Sequence, residues 1–203
     1  ASDVYKRQHL NHVSTAVDAL KSTPSAIGLG IVAPDGRDGM LIHAQQFVDA
    51  QVPFIFDPGQ GLPMFDAKDL TQFIEQASYI AVNDYEGEML AQKTGMPLAE
   101  IAKHVKALIV TKGIQGSEIY ADGQIIHIPV VPVEKPVDPT GCGDAFRAGL
   151  LYGIENQLDL ETTGKLGSLM GAIKIACEGP QNHMPSFTMI QELYRKAFTS
   201  DFA

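Results

Sequence analysis

A glycine-rich segment between residues 138 and 144 has the composition of an anion-binding loop. It reads Asp138-Pro139-Thr140-Gly141-Cys142-Gly143-Asp144 and leads into residues 143–155, whose apolar spacing predicts a helix. Glycines at 141 and 143 allow backbone conformations that other residues avoid. Successive N–H groups can then point inward and, together with the helix dipole, hold an anion. The segment therefore predicts a cradle for a phosphate group.

Asp144 is expected in the first turn of that helix. A carboxylate there, beside a transferring phosphoryl group, can accept the proton of a substrate hydroxyl. The same position also suits a carboxylate that only stabilises the helix dipole. A third interpretation starts from Cys142, because a thiol at a helix N-terminus can have a lowered pKa and act as a nucleophile. No histidine can be placed beside Cys142 from the sequence, which weighs against this thiol-enzyme alternative.

Two further polar groups follow apolar runs. Asn83 and Glu86 are three residues apart, a spacing that by itself favours a helix cap with an acidic residue in the first turn. Lys112, in the segment Thr111-Lys112-Gly113, is the best candidate in the sequence for a cationic side chain that contacts a phosphate. It is long enough to reach phosphates, although a solvated lysine is the more common interpretation.

The elements that must position these residues alternate from Ile27 onward. Continuous apolar runs, typical of parallel strands buried on both faces, alternate with segments of helical period. The runs cover residues 27–33, 52–56, 79–82 and 107–110. Because turn-forming and ligand-capable residues follow each run, the carboxyl ends of the strands are expected to share one rim, with plain turn chemistry as the alternative.

Helical and hairpin patterns complete the predicted fold. An apolar stripe of Met40, Leu41, Ala44, Phe47 and Val48 predicts a crossover helix, and Asp122-Gly123 predicts a type I′ turn between strands 117–121 and 124–130. Later helices are predicted at 143–155, 163–177 and 186–198, with Gly149 and Gly153 permitting close packing. We expect one α/β domain with a mostly parallel sheet flanked by helices and an antiparallel edge hairpin.

The composition of the chain argues against several classes of function. The chain has 203 residues and a net charge of −9, which argues against general affinity for nucleic acid or for anionic membranes. It contains no run of about 18 apolar residues. Two cysteines without metal-binding spacing cannot form a disulfide framework, so we expect a reducing, cytoplasmic setting.

At the glycine-rich loop the sequence resembles a known family. Residues 138–144 are similar to the second signature of the ribokinase and adenosine kinase superfamily, also called the phosphofructokinase-B family. Asn83-Asp84-Tyr85-Glu86 resembles the Asn-x-x-Glu motif of that family, and Thr111-Lys112-Gly113-Ile114-Gln115-Gly116 resembles its nucleotide-binding turn. Order and spacing also agree, and the resemblance extends from about Ile27 to about Ser186.

The resemblance implies transfer of the γ-phosphoryl group of ATP to the hydroxyl of a small-molecule nucleoside or sugar. Asp144 would be the general base, and the backbone of Gly141, Cys142 and Gly143 would form the anion hole. Asn83 and Glu86 would help to place Mg²⁺, and Asp138 and Thr140 would lie near a site for a monovalent cation such as K⁺. The nucleotide-binding residues implied in this way are Asn83, Thr111, Lys112, Gly113, Gly116 and Gly143.

Within the family, residues 56–61, Pro139, Cys142, Arg147 and 179–183 most resemble bacterial adenosine kinase-type members. A ribokinase- or fructokinase-type sugar kinase and an inactive nucleotide-binding fragment stay as alternatives. No segment before Ile27 resembles the first strands, the early aspartate or the lid of a complete member. We therefore interpret residues 1–26 as a scar and a partial N-terminal helix, and 27–203 as a C-terminal, nucleotide-binding portion with little activity alone. A homo-oligomer is left open.

Overall fold

A computed structural model describes residues 27–202 of the chain. Its six strands form one sheet in chain order, and β1–β2 and β2–β3 are parallel, with Ile55 of β2 opposite Ile31 of β1 and Tyr79 of β3. The strands are β1 (Gly30–Val32), β2 (Phe54–Phe56), β3 (Tyr79–Asn83), β4 (Ala107–Thr111), β5 (Ser117–Ala121) and β6 (Gln124–Ile128). The interpretation of residues 1–26 lies outside the described residues.

The hairpin is the predicted one. Asp122 and Gly123 have φ values of 51° and 74°, the two positive angles that a type I′ turn requires. A two-residue turn makes β5 and β6 antiparallel, and the strand order puts them at the edge of the sheet. The structure thus confirms a mostly parallel sheet, flanked by helices, with an edge hairpin.

Helices connect the strands and follow the hairpin. They are α1 (Arg37–Asp49), α2 (Ala67–Gln76), α3 (Asp84–Thr94), α4 (Leu98–Ile101), α5 (Cys142–Glu155), α6 (Leu160–Ile175) and α7 (Phe187–Phe198), with short 3-10 helices at Gly59–Met64, Ala102–His104 and Gly113–Gln115.

Several boundaries differ from the sequence patterns. The first apolar run contributes only the three residues of β1, and Val48, predicted on the buried stripe of α1, is 39% exposed. Helix α6 starts three residues before the predicted 163, because the Asp159 side chain caps it by accepting a hydrogen bond from the Thr162 N–H at 2.9 Å.

By their contacts, the described residues fall into two compact units, one of residues 27–110 and 120–124 and the other of 111–119 and 125–202. The core of the first unit contains stacked rings of Phe56 and Phe73, with centroids 4.2 Å apart. Division by contacts is compatible with a single domain, so the expectation of one domain stays a prediction.

In the second unit, α5 and α6 pack backbone against backbone, as the glycines predicted. A Cβ atom added at Gly149 would lie 2.7 Å from the Cα of Gly167, and one at Gly153 would lie 2.5 Å from Oγ1 of Thr163. Residues larger than glycine would therefore force the helices apart. This contact fixes the position of α5, and with it the glycine-rich loop that precedes the helix.

Candidate functional site

The second unit contains a cavity of about 400 Å³. Its walls come from the 3-10 turn after β4, the extended segment after β6, the first turn of α5 and one side of α6, and they are mostly apolar. The lining residues are Thr111, Gly113, Ile114, Gly116, Val130, Val131, Pro132, Val133, Pro136, Cys142, Gly143, Phe146, Ser168, Gly171, Ala172 and Ile175. A concave, apolar site of this size suits a small organic ligand.

The turn after β4 depends on its glycines. The Lys112 N–H donates a hydrogen bond to the Gly116 carbonyl at 2.8 Å, and the Gly116 N–H donates to the Gly113 carbonyl at 3.1 Å. Gly113 and Gly116 have φ values of 55° and 85°, and a Cβ atom at Gly116 would collide with the Ile128 carbonyl oxygen. Three predicted nucleotide-binding residues of this turn, Thr111, Gly113 and Gly116, thus reach the cavity wall, and Gly143 of the glycine-rich loop is a fourth.

The glycine-rich loop places a helix N-terminus at the same cavity. Gly141 is the N-cap of α5 with a φ of 83°, and a Cβ atom there would lie 3.0 Å from the Pro180 carbonyl oxygen. Gly143 differs from its prediction, because its φ is not positive and it lies within the first turn of α5. Its missing side chain instead leaves room for the Arg147 guanidinium, 2.7 Å from where a Cβ atom would stand.

The amides of this loop are not all available to a ligand. The Cys142 N–H donates to the Pro139 carbonyl oxygen at 3.1 Å. Within residues 27–202, the N–H groups of Gly141 and Gly143 have no hydrogen-bond acceptor, as is usual for the first amides of a helix. An anion at this end of α5 could therefore be held by Gly141 and Gly143, with Cys142 contributing through the shape of the turn.

Asp144 and Cys142 share the first turn of α5 but differ in environment. Asp144 is exposed, so its carboxylate is accessible to a substrate. Burial raises the pKa of the Cys142 thiol, whereas the thiol-enzyme alternative needs that pKa lowered. The structure removes the physical basis of that alternative.

The Asp138 side chain holds the glycine-rich loop in place through hydrogen bonds to backbone N–H groups. One carboxylate oxygen accepts a hydrogen bond from the Thr140 N–H and the other from the Gly179 N–H, both at 2.8 Å. These hydrogen bonds, the one from Thr140 foremost, lower the pKa of Asp138. Each oxygen thus accepts one backbone hydrogen bond and keeps a further lone pair, so the predicted role of Asp138 near a monovalent cation stays a prediction.

Lys112 is only partly exposed, and it does not line the cavity. Its ammonium group forms an ion pair with Glu118 at 2.6 Å, and the two side chains are only 29% and 16% exposed. A phosphate would have to compete with Glu118 for this lysine.

Asn83 and Glu86 lie in the first unit, where they form the helix cap that their spacing allows. The Asn83 side chain accepts from the Glu86 N–H, and the Glu86 carboxylate accepts from the Asn83 N–H, each at 2.8 Å. Their oxygens are the donor type that Mg²⁺ prefers, and Glu86 has a second carboxylate oxygen, so the pair fits a magnesium ion held through water. Among the described residues, no group of three or more His, Cys, Asp or Glu is placed to bind a metal directly.

Sequence reasoning missed two polar residues of α6. Ser168, on the cavity wall, donates to the Pro129 carbonyl at 2.8 Å and accepts from the Val131 N–H, fixing the segment after β6. Lys174 is completely buried beneath the glycine-rich loop. In the sequence, Lys174 stands in the predicted helix 163–177, one residue after Ile173 and one before Ile175, and these apolar neighbours are the only signal that it is buried.

No helix within residues 27–202 is both long and apolar enough to cross a membrane.

A parallel sheet joined to a helix that begins at a glycine-rich turn is an arrangement typical of phosphate-binding α/β proteins. The chain belongs to the pfkB family of carbohydrate kinases, whose model matches residues 2–186. The match includes residues before Ile27, where the motif resemblance began.

Nucleoside kinases are among the proteins to which the chain is similar. The chain is similar to a nucleoside kinase of Methanocaldococcus jannaschii, 35% identical over 141 residues, which are 70% of this chain and 47% of that protein. It is also similar to the structure of Burkholderia thailandensis nucleoside kinase in complex with inosine, with 49% identity and a TM-score of 0.88 over 96% of this chain and 61% of the other.

A second structure of the Burkholderia enzyme, in complex with ADP-inosine, gives a TM-score of 0.87 at 49% identity over 95% of this chain and 58% of that one. The chain thus spans about half to three fifths of the length of these relatives.

Proposed function

We propose that the protein transfers the γ-phosphoryl group of ATP to a hydroxyl group of a nucleoside. The observation that carries this proposal is the first turn of α5, where two backbone N–H groups without acceptors and the exposed Asp144 carboxylate adjoin a nucleotide-sized cavity. The similarity to a kinase whose structures contain inosine and ADP-inosine supports a nucleoside as the acceptor and ATP as the donor.

The cavity would take the base and ribose of the nucleotide. Its apolar walls, including Val131, Phe146 and Ile175, suit a flat heterocycle, and the turn at Gly113 and Gly116 lets the backbone approach closely. The phosphates would then extend to the N-terminus of α5, where the helix dipole and free N–H groups favour negative charge.

Catalysis would combine positioning with charge stabilisation. The amides of Gly141 and Gly143 would donate to the oxygens of the transferring group, and Asp144 would accept the proton of the attacking hydroxyl. Asn83 and Glu86 would hold Mg²⁺ through water, and that ion would supply charge neutralisation on the phosphates.

A panel of acceptors tests this proposal on the protein expressed from the complete reading frame that contains the chain. With ATP and Mg²⁺, we expect inosine or adenosine to be phosphorylated, with kcat/KM well above that for ribose or fructose. A preference for ribose or fructose would favour the sugar-kinase alternative, which the family description as carbohydrate kinases keeps open. Absence of turnover with every acceptor, together with intact nucleotide binding, would favour the inactive-fragment alternative.

Substitution of the proposed base gives the sharper test. Asp144→Asn should lower kcat by about 10²–10⁴-fold, since general base catalysis contributes that much, while ATP affinity by calorimetry changes little. Glu155→Gln, at the exposed other end of α5, is the matched control and should retain full turnover. An Asp144→Asn enzyme with wild-type kcat would exclude Asp144 as the base.

A further inference from the structure

Lys174, near the C-terminus of α6, has no exposed surface. Its ammonium group donates hydrogen bonds to two backbone carbonyl oxygens, that of Asp138 at 2.7 Å and that of Cys177 at 3.1 Å. Within residues 27–202, no carboxylate forms an ion pair with it. Burying a charge is costly unless it is well satisfied, so a lysine held by neutral carbonyls at this position calls for a functional reason.

The two carbonyl groups belong to the segments that shape the anion-binding turn. Asp138 starts the glycine-rich loop, and Cys177 lies in the turn that follows α6. The same turn is joined to the loop a second time, because the Gly179 N–H donates to the Asp138 carboxylate and Pro180 packs against Gly141. The ammonium group thus ties α6, the loop and the 177–180 turn together.

The position matches the chemistry of a bound monovalent cation. A K⁺ ion in a protein is coordinated by backbone carbonyl oxygens, and an ammonium group carries the same charge and binds the same atoms. Here the Asp138 carbonyl is occupied by Lys174, and both oxygens of the Asp138 carboxylate accept from N–H groups. The loop therefore has its own internal cation, because the Lys174 ammonium group binds the backbone carbonyl oxygens that a K⁺ ion there would bind.

We propose that Lys174 is a positioning residue whose ammonium group replaces a monovalent cation beneath the glycine-rich loop, making phosphoryl transfer independent of K⁺. The proposal rests on the proposed function, because the loop is assigned to the transferring phosphoryl group there. Lys174 acts through the loop. It holds the carbonyl group of Asp138, and the amides of Gly141 and Gly143 follow three and five residues later in the chain.

The first test needs no variant. Turnover of the wild-type protein is measured with ATP and Mg²⁺ in chloride salts of K⁺, Na⁺ and tetramethylammonium at equal ionic strength. We expect kcat to agree within about twofold across the three salts, because the cation at the loop is built in. A stimulation by K⁺ of about tenfold or more would overturn the proposal.

Two variants test the charge itself. Lys174→Met keeps the length of the side chain and removes the charge, and it should lower kcat by about 10–100-fold with a smaller change in the KM for ATP, since misplacement of a catalytic group costs that much. Lys174→Ala leaves space beside the two carbonyl groups, and K⁺ or NH₄⁺ should restore much of its kcat. Lys165→Met, on the same helix but paired with Glu161 at the surface, is the control and should need no rescue.

Two outcomes would overturn the proposal: a Lys174→Met protein with wild-type kcat, or a loss of kcat in folded Lys174→Ala that neither K⁺ nor NH₄⁺ reverses. In the second case the lysine contributes packing rather than charge.

Hydrogen exchange separates this proposal from the proposed function. In Lys174→Met, exchange of the amides of residues 140–145 should rise about tenfold or more over the wild type, while the core of the first unit keeps its protection. Added K⁺ should restore protection in Lys174→Ala. If no acceptor is phosphorylated but this pattern holds, the proposed function fails and the positioning role stands; unchanged exchange in both variants overturns the positioning role whatever the activity.

Discussion

The Asp138 carboxylate accepts one backbone hydrogen bond on each oxygen, from Thr140 within the loop and from Gly179 in the turn after α6. Its pKa is lowered because these N–H groups stabilise the charged form, and the Lys174 charge acts in the same direction. A carboxylate in this environment serves to hold the loop against the turn after α6. Asp144, six residues later and exposed, is left as the group that can meet a substrate.

The lowered pKa makes a prediction about acid stability. Asp138 is charged in the folded state at pH values where the unfolded chain, with an Asp pKa of about 3.9, begins to take up a proton. Its contribution to stability is therefore complete above about pH 4 and is lost as the pH falls through the lower folded pKa. Urea unfolding between pH 7 and pH 2 should show Asp138→Asn less stable than the wild type at neutral pH, with the difference shrinking below about pH 4.

Glu134→Gln, in the exposed segment before the loop, is the control for this series and should not alter the acid limb of the stability curve. A stability difference between Asp138→Asn and the wild type that stays constant down to pH 2 would show that the Asp138 charge has no part in fixing the loop.

At the scale of elements, the site depends on how α5 is held against α6. Gly149 meets the backbone of Gly167, and Gly164 leaves room for Ile119 of β5 and Ile128 of β6. Helix α6 is thus packed on the hairpin on one side and on α5 on the other. Because α6 contributes both one side of the cavity and Lys174, a shift of this helix would change the cavity as well as the support of the loop.

Glycine-to-alanine changes in this helix pair should have opposite effects. Gly149→Ala forces a methyl group to within 2.7 Å of backbone atoms of α6 and should lower the free energy of unfolding by about 1–3 kcal/mol. Gly171→Ala places its methyl group 3.7 Å from the nearest atom, the Cys142 carbonyl oxygen, and should be neutral or add up to about 1 kcal/mol through helix propensity. Urea unfolding of both variants measures the difference. Equal stabilities would contradict the close packing of α5 and α6.

At the scale of the whole molecule, the cavity is contained in one compact unit. Every residue of its wall comes from 111–119 or 125–202. If the cavity takes the nucleotide, as proposed, we expect nucleotide binding to depend on the residues of this unit. The proposed phosphoryl transfer requires in addition a nucleoside beside Asp144, and the chain spans only 47–61% of the length of these kinases.

This separation predicts that ADP alone stabilises the chain. At an ADP concentration 100 times Kd, linkage gives about 2.7 kcal/mol, or a rise in Tm of about 5–10 °C for a chain of this size. Thermal unfolding with and without ADP measures the shift, with ribose as the ligand control. Ala172→Phe, which adds a ring at the cavity wall, should remove the response. No shift with millimolar ADP would contradict assignment of the cavity to a nucleotide.

The glycine-rich loop, the hairpin turn and the four parallel runs were all predicted from the sequence, because each is encoded by neighbouring residues. Asp122 and Gly123 are residue types that accept the two positive φ angles of a type I′ turn. Gly141 adopts a φ of 83° at little cost because it has no Cβ atom. The cap formed by Asn83 and Glu86 is local in the same sense. These local motifs and their order predicted the family, whose model matches residues 2–186.

Only the tertiary structure decided which partners the charged residues around the loop and the cavity have. The burial of Lys174, the pairing of Lys112 with Glu118 and the second hydrogen bond on Asp138 all join residues that different elements bring together. The energy of a buried ammonium group or carboxylate is set by the dipoles and charges around it, and these come from segments up to 41 residues away. The sequence therefore predicted where an anion could bind, whereas only the packed chain determined which charges hold that loop in place.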